Sequence, residues 1–341
     1  MSYDNLTFNT QPVAAAKGIA SSLLSPWRAL DRAFHKVVGY SAGDFEFVYD
    51  RTPFSTYSEA GGMVALYLLV VFGGREMMRD RKPLELNTLF KLHNLFLSLL
   101  SGSLLVLFIQ QLAPSIWRKG LYDNICGASG WTQPLVLLYY VSLARVGSSW
   151  EALMEADLGR GKLQINYLTK YYELIDTVFL MLRKKPLTFL HCYHHPATAL
   201  LCFTQLLGYT PISWVPITLN LTVHVVMYWY YFQAARGVKV WWKQWITRLQ
   251  IAQFVLDLGF VYFACYDYWA GTYATWLPHM GQCAGELVAA ISGGVILSSY
   301  LVLFVMFYIT TYKKAGRKAV SPKTKVAPAE KSEKAAETQG N

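Results

Sequence analysis

The chain has 341 residues, of which 54% are hydrophobic and only 15% are charged. This composition excludes a water-soluble globular domain and predicts an integral membrane protein, because about 20 consecutive apolar residues span a bilayer. The formal net charge is +10. A nucleic-acid-binding role is not expected, since no folded basic surface with interleaved aromatic residues lies outside the apolar stretches.

Seven apolar stretches are long enough to cross a membrane. They cover residues 60–78, 88–112, 165–182, 189–207, 214–234, 249–270 and 287–312. The predicted fold is therefore an all-α polytopic membrane protein with about seven transmembrane helices. We divide the chain into an N-terminal lumenal segment (1–58), a transmembrane catalytic domain (59–312) and a disordered basic cytosolic tail (313–341).

The distribution of basic residues predicts the orientation. Clusters of Lys and Arg follow the first, third, fifth and seventh stretches, whereas the loops after the fourth and sixth carry none. Because basic loops stay in the cytosol, we expect a lumenal N-terminus and a cytosolic C-terminus.

The five cysteines show no spacing typical of a metal site. We expect them to pack as free thiols. A lumenal pair of Cys126 with Cys283 is the alternative, and sequence alone does not decide between the two.

Three histidines stand at the start of the fourth stretch. His191, His194 and His195 share one helical face if the segment is a helix. Imidazole is costly in hydrocarbon, so ionisable residues at membrane depth indicate a functional site. A set of hydrogen-bonded structural histidines is the less favoured alternative.

Polar clusters also interrupt three other stretches. Their members are Lys170, Glu173, Asp176 and Thr177, then Asn220, His224, Tyr228 and Tyr231, and finally Thr247, Gln250 and Gln253. Lys170 with Glu173 could be a neutralising pair, and the glutamines could join helices. Since polar stripes cannot face lipid, we expect them to line a shared interior suited to an amphiphile.

Two chemistries can use this histidine set. A di-iron centre, as in membrane desaturases, needs several histidine clusters, and His35, His93 and His279 stand alone here. Acyl transfer needs only one or two imidazoles acting as nucleophile or base, and this inventory fits. A receptor or transporter of seven helices is a third class.

Four motifs in order resemble those of the ELO family of fatty acid elongases. They are Lys170-x-x-Glu173-x-x-Asp176-Thr177, His191-x-x-His194-His195, Asn220-x-x-x-His224-x-x-Met227-Tyr228-x-Tyr230-Tyr231 and Thr247-x-x-Gln250-x-x-Gln253. The resemblance implies six helices in a barrel around an acyl-chain tunnel that opens to the cytosol. It implies a very-long-chain 3-oxoacyl-CoA synthase that condenses acyl-CoA with malonyl-CoA, releases CO2 and CoA, and uses no metal or other cofactor.

The resemblance also implies roles for single residues. His194 would be the acyl-accepting nucleophile with His224 across the tunnel, while His191 and His195 orient the site and Asp176 and Asn220 fix tautomers. Substrate contacts would come from the remaining motif positions Lys170, Glu173, Tyr228, Tyr231, Gln250 and Gln253. Arg183, Lys184, Lys243 and Arg248 would hold the CoA phosphates at the cytosolic mouth, the alternative being charge that only sets topology.

The family context implies partners and a location. The protein would lie in the endoplasmic reticulum membrane among its lipids, beside a ketoacyl reductase, a 3-hydroxyacyl dehydratase and an enoyl reductase. A homo-oligomer is compatible with the sequence. Similarity to the fungal branch favours long to very-long saturated or monounsaturated chains that serve fatty acid and sphingolipid biosynthesis.

Two features remain open. Residues 146–164 form a polar insertion that family members lack, which is either a genuine loop or a retained intron. Phe260, Phe263, Tyr266, Tyr268 and Trp269 either wall the closed end of the tunnel or form an interfacial aromatic belt.

Overall fold

The computed structural model describes residues 25–140 and 166–313, apart from the single residues 46, 48, 51, 53, 131 and 282. The predictions for the first 24 residues, for the insertion at 146–164 and for the tail beyond residue 313 lie outside these ranges. Nine α-helices lie within them: α1 (Pro26–Val38), α2 (Tyr57–Met77), α3 (Asn87–Ile125), α4 (Gln133–Tyr140), α5 (Asn166–Leu182), α6 (Phe189–Leu207), α7 (Trp214–Ala235), α8 (Lys243–Tyr273) and α9 (Leu287–Tyr308).

Every predicted apolar stretch coincides with a helix, namely α2, α3 and α5 to α9. Five of these helices are long and apolar enough to cross a membrane: α2, α3, α7 with the turn before it, α8, and α9 with its C-terminal extension. The described chain contains no β-strand. The prediction of an all-α polytopic membrane protein is therefore confirmed, while the full set of seven crossings stays a prediction because polar side chains interrupt α5 and α6.

Helix α3 extends well beyond the predicted stretch. It continues through Pro114 to Gly120, where a φ of +83° interrupts the helix before its last short turn. Glycine adopts this left-handed region without the steric cost that a side chain adds. Trp117, just before the break, is 91% exposed. The sequence pattern underestimated this end because polar residues there follow a continuous apolar run.

Helices α3 and α5 to α9 form one continuous series of packed neighbours. Helix α7 packs against α3 and α8, α9 packs against α8 and α6, and α6 packs against α5. Helix α2 lies outside, against α5 and α6, and exposes large apolar side chains such as Leu69. Lipid tails solvate such side chains. These neighbours agree with a six-helix ring, although closure of the ring stays a prediction.

A disulfide joins Cys126, at the end of α3, to Cys283 in the segment before α9. Beside it, the buried Asp267 of α8 accepts hydrogen bonds from the Tyr122 hydroxyl and the Met280 backbone N–H. The expectation of free thiols is thus wrong for this pair and correct for Cys192, Cys202 and Cys265. The disulfide thus links two segments that are distant in sequence at this end of the bundle.

Candidate active site

A first, largely buried polar group lies between α3, α5 and α7, and we call it the Asp176 group. His93 Nε2 is 2.6 Å from Asp176 Oδ1, and the Tyr228 hydroxyl donates to Asp176 Oδ2 at 2.8 Å. The other ring nitrogen of His93 is 3.2 Å from the Tyr172 hydroxyl. His93 lies about 9 Å inside the start of α3 at 1.5 Å per residue. Both Asp176 oxygens are therefore held by residues of other helices.

A second polar group lies further from the C-terminal end of α5, and we call it the Glu173 group. Lys170 Nζ donates to Glu173 Oε1 at 2.9 Å and to Asn220 Oδ1 at 2.9 Å. His224 Nδ1 is 3.3 Å from Glu173 Oε1, and His195 Nδ1 is 4.0 Å from Glu173 Oε2. Lys170 is about 18 Å from the C-terminal end of α5, so a carboxylate, an ammonium and two imidazoles meet near the middle of the bundle.

Burial makes the pairing within the Glu173 group obligatory. Lys170 is 4% exposed and Glu173 is 3% exposed, and an unpaired charge at such a position is strongly unfavourable. Asn220 Nδ2 lies 3.2 Å from His224 Nε2. If the amide donates to Nε2, the ring hydrogen of neutral His224 is on Nδ1, facing Glu173. Asn220 and Glu173 are thus the polar neighbours of the two His224 nitrogens.

The histidine cluster occupies the first turns of α6. The Thr188 side chain caps this helix by accepting from the His191 backbone N–H, and its hydroxyl is 2.7 Å from His191 Nδ1. A threonine at the N-cap satisfies backbone donors that have no partner within the helix. His191 is thus held locally by Thr188, whereas the rings of His194 and His195 lie further along the helix.

The ring of His194 lies among other rings. Its centroid is 4.7 Å from that of Tyr300, 5.3 Å from that of His195 and 5.8 Å from that of Phe304. The Tyr300 hydroxyl and the Thr198 hydroxyl donate to the His194 backbone carbonyl. Contacts from α6 and α9 therefore fix the backbone beneath this ring, and no side-chain hydrogen bond holds the ring itself within the described residues.

A cavity begins at His194 and continues between α6, α7, α8 and α9. Lys170 and Asn220 line it together with His194. The cavity volume is about 80 Å³. Apolar side chains form most of the wall: Leu201, Leu206, Ile217, Phe254, Val261 and Leu297. Along α6 the lining reaches about 18 Å beyond His194. Gln205 and Ser213 are polar members of the lining further along the cavity.

The structure thus brings most predicted motif residues together. Lys170, Glu173, Asn220, His195 and His224 form one group, Asp176 and Tyr228 belong to the other, and His194 and Gln253 line the cavity. Three residues make none of these polar contacts. His191 contacts Thr188, Gln250 Nε2 is 3.5 Å from Met227 Sδ, and Tyr231 is 37% exposed beside the rings of Tyr228 and Tyr230.

The predicted CoA-binding residues lie after the end of α5 and in the first turns of α8, and the structure shows protein contacts for three of them. Arg183 donates to Asn87 Oδ1 at 2.9 Å, and Lys184 Nζ donates to the Arg79 carbonyl at 2.8 Å. The Arg248 guanidinium bonds the Tyr308 hydroxyl and lies 4.7 Å from the Trp245 ring, while Lys243 begins α8. Their role towards CoA stays a prediction.

The aromatic residues considered as the tunnel end are largely outside the cavity. Phe263, Tyr266 and Trp269 are 38%, 43% and 48% exposed, respectively. The face of α8 that lines the cavity carries Gln253, Phe254, Asp257 and Val261 instead. The interpretation as an interfacial belt suits the three exposed rings, and the end of the cavity lies elsewhere.

Sequence reasoning missed two buried residues of this interior. His93 was set aside as an isolated histidine, yet it binds Asp176. Asp257 of α8 lies in the cavity wall and is 0% exposed. Each is an ionisable residue in a largely apolar stretch, and its position at membrane depth was itself the available signal.

These observations define a class, a polytopic helical membrane protein whose buried imidazoles open on a long, largely apolar cavity. The chain belongs to the ELO family, because residues 52–320 match the family model described as "ELO: GNS1/SUR4 family". It is 48% identical over 292 residues to "Putative fatty acid elongase 1" of Schizosaccharomyces pombe, covering 86% of this chain and 80% of that protein. It is 42% identical over 305 residues to "Putative fatty acid elongase 2" of the same organism, covering 89% and 76%. "Very long chain fatty acid elongase 2" of Rattus norvegicus is 28% identical over 278 residues, covering 76% and 81%.

Proposed function

We propose that this protein is the condensing enzyme of fatty acid elongation, a very-long-chain 3-oxoacyl-CoA synthase. It joins acyl-CoA and malonyl-CoA to give 3-oxoacyl-CoA, CO2 and CoA. The observation that carries the proposal is the cavity itself: His194, Lys170 and Asn220 line one end, and a mostly apolar wall follows. A reactive thioester would lie at the polar end and its acyl chain along the wall. Membership of a family that includes fatty acid elongases supports this assignment.

His194 is the best placed nucleophile for the first half-reaction. In the described part of the chain no hydrogen bond holds its ring, whereas the His224 nitrogens face Glu173 and Asn220. An imidazole nitrogen of His194 attacks the thioester carbonyl, the C–S bond breaks, and the CoA thiolate leaves and takes up a proton. The product is an acyl-imidazole, which an apolar, water-poor cavity protects from hydrolysis.

Malonyl-CoA enters in the second half-reaction. Loss of CO2 leaves an electron pair on C2 of the remaining acetyl thioester, and the negative charge spreads to its carbonyl oxygen. The Lys170 ammonium and the Asn220 amide border the cavity, and they could stabilise this enolate as fixed donors do in other sites. C2 attacks the acyl-imidazole carbonyl, the carbon–nitrogen bond breaks, and the leaving imidazole nitrogen takes up a proton from water, which restores neutral His194.

This route involves no metal ion, which we propose as part of the mechanism. The imidazole of His93 is paired with Asp176, and that of His224 lies beside Glu173 and Asn220. Among the described residues, the one compact group of potential ligands is Cys126, Asp267 and Cys283, and its two sulfurs are joined to each other. The donor arrangement therefore favours acyl transfer over di-iron chemistry.

We further propose that the protein lies in the endoplasmic reticulum membrane with the active-site mouth towards the cytosol. Arg183 and Lys184 lie between α5 and the start of α6, where the histidine cluster begins, and Lys243 is the first residue of α8. The Cys126–Cys283 disulfide lies at the other end of the bundle, and disulfides persist in oxidising compartments such as the lumen. The N-terminus would then be lumenal and the C-terminus cytosolic.

The product needs further enzymes, which we propose as functional partners. A 3-oxoacyl thioester becomes a saturated chain by reduction, dehydration and a second reduction, and no nicotinamide-binding motif occurs in this sequence. A ketoacyl reductase, a 3-hydroxyacyl dehydratase and an enoyl reductase would supply these steps. Similarity to a very-long-chain fatty acid elongase supports long to very-long acyl chains as the substrates.

The direct test is turnover by purified protein in detergent or nanodiscs. With a long-chain acyl-CoA and malonyl-CoA labelled in its free carboxyl group, we expect labelled CO2 and a 3-oxoacyl-CoA two carbons longer, in the presence of a chelator. His194→Ala should abolish both, while His279→Ala, at an exposed histidine outside the cavity, should not. Stoichiometric iron whose removal abolishes activity would contradict the proposal, and so would ligand flux without CO2 release.

A further inference from the structure

Asp257 is a buried carboxyl group in the cavity wall that the mechanism above does not use. It lies in α8, is 0% exposed and lines the cavity with Gln253 and Val261. Gln253 Nε2 donates to Asp257 Oδ2 at 3.2 Å. The other oxygen, Oδ1, has no hydrogen-bond partner among the described residues. A buried polar atom without a partner costs free energy, so this oxygen calls for an explanation.

A structural role does not account for this arrangement. The bond to Gln253 connects residues four apart on the same helix, so it joins no two helices. Asp267, the other buried aspartate of α8, provides the contrast, because its oxygens bind Tyr122 and the Met280 backbone. Lys170, the lysine in the cavity lining, is already bound to Glu173 and Asn220. Asp257 thus supports neither helix packing nor an ion pair within the described residues.

We propose that Asp257 and Gln253 form a hydrogen-bonding subsite for a hydroxyl group in the middle section of the acyl chain. This inference rests on the proposed function, since it assigns a substrate class to the same cavity. A hydroxyl group is neutral and can both donate and accept, so it can satisfy a carboxyl oxygen in either protonation state. A cation would fit poorly, because the neighbouring wall is formed by Phe254 and Val261.

The location of Asp257 predicts which part of the acyl chain must carry the hydroxyl group. Along α8 it lies about 6 Å beyond Gln253 and about 6 Å before Val261, and all three line the cavity. The subsite therefore lies part-way along the wall rather than at the reactive end or at the far end near Gln205. A hydroxyl group next to the thioester or at the terminal carbon should not reach it.

Discrimination at such a subsite has a clear physical origin. A site built to bind a hydroxyl group rejects the analogue without it, because its own polar atoms are then left unpaired. The test compares kcat/KM for plain acyl-CoA with that for a series of mono-hydroxylated acyl-CoAs of the same length. Each protein preparation yields the ratio of the two values, so the ratio is independent of how much of a variant folds.

We expect the wild-type enzyme to favour one mid-chain hydroxyl position by roughly tenfold or more over the plain chain. Asp257→Leu should reduce this ratio to about one, whereas Asp257→Asn, which keeps an acceptor and a donor, should retain most of it. Asp267→Asn is the matched control on the same helix, outside the cavity lining, and should leave the ratio unchanged.

The opposing results separate this inference from the proposed function. A wild-type ratio near one at every hydroxyl position, or an equal ratio in the wild type and Asp257→Leu, overturns the subsite while condensation itself continues. Failure of the wild-type enzyme to condense any acyl-CoA with malonyl-CoA overturns the proposed function, and the subsite with it.

Discussion

His93 Nε2 and Asp176 Oδ1 lie 2.6 Å apart and join α3 to α5 in the interior of the bundle. Asp176 in turn accepts a hydrogen bond from the Tyr228 hydroxyl, and the Tyr228 ring packs edge-on against His224 with centroids 5.2 Å apart. A single histidine of α3 is therefore connected, through Asp176 and Tyr228, to the Glu173 group. This contact makes His93 a positioning residue for imidazoles that it does not itself touch.

The His93 contact predicts a specific kinetic effect. His93→Ala should lower kcat by roughly 10- to 100-fold with a smaller change in KM, because displacement of reacting groups by even 1 Å is costly. His93→Gln can still donate to Asp176 and should recover part of the loss. Steady-state kinetics on protein of verified fold provides the measurement. His279→Ala is the control, and equal losses of kcat in both variants would contradict the positioning role.

The buried pair of Lys170 and Glu173 predicts an asymmetric effect on stability. Lys170→Met leaves the Glu173 carboxylate uncompensated and should destabilise the protein by about 3–5 kcal/mol. The double substitution Lys170→Met with Glu173→Leu removes both charges and should recover much of the melting temperature without restoring turnover. Thermal unfolding in detergent measures the first effect and an activity assay the second.

An exposed pair provides the control for this experiment. Arg75 and Glu76 approach to 3.8 Å, and both side chains are 59% exposed. Arg75→Met should change stability by less than about 1 kcal/mol. If Lys170→Met changes the stability as little as Arg75→Met does, Lys170 and Glu173 do not form a buried pair of charges.

The far end of the cavity should set the longest product. Gly293 lines the cavity, and a Cβ atom added there would lie 3.6 Å from Gln205 Nε2. Gly293→Leu would fill space that chain methylenes otherwise occupy, each worth about 0.8 kcal/mol of burial, and should shift the product profile to shorter chains. Gas chromatography of the products gives the distribution.

Neighbouring positions outside the cavity lining test whether that shift is specific. Gly294→Leu changes the adjacent glycine, whose side chain would face Tyr262, and Phe263→Ala removes a partly exposed ring. Both should leave the distribution of chain lengths unchanged. Longer products from Phe263→Ala would indicate instead that the aromatic residues of α8 form the tunnel end.

The sequence predicted the helices and most of the interior, because apolar length and polar stripes are local signals. The location of each of the seven stretches and the convergence of Lys170, Glu173, Asn220 and His224 follow from such signals. The partners of His93 and Asp257 could not be predicted in this way. Each depends on which faces of α3, α5 and α8 turn inward, and that is decided by packing between helices distant in sequence.

The disulfide and the tunnel end show the same limit. Pairing of Cys126 with Cys283 depends on loops 157 residues apart, which sequence spacing cannot bring together. The aromatic residues after Phe260 suggested a wall, yet the period of the helix turns Asp257 and Val261 inward and leaves Phe263 outside. Local composition indicated an aromatic region correctly and did not indicate the side on which it lies.

The most direct test of the mechanism is mass spectrometry of the purified protein after incubation with a long-chain acyl-CoA alone. We predict one acyl group, carried on the His194 imidazole and released as 3-oxoacyl-CoA when malonyl-CoA is added. Cys202 also lines the cavity as a free thiol, so the site of modification must be mapped by peptide sequencing. An acyl group on Cys202, or full turnover without any acyl-enzyme and only from a ternary complex, would contradict the account.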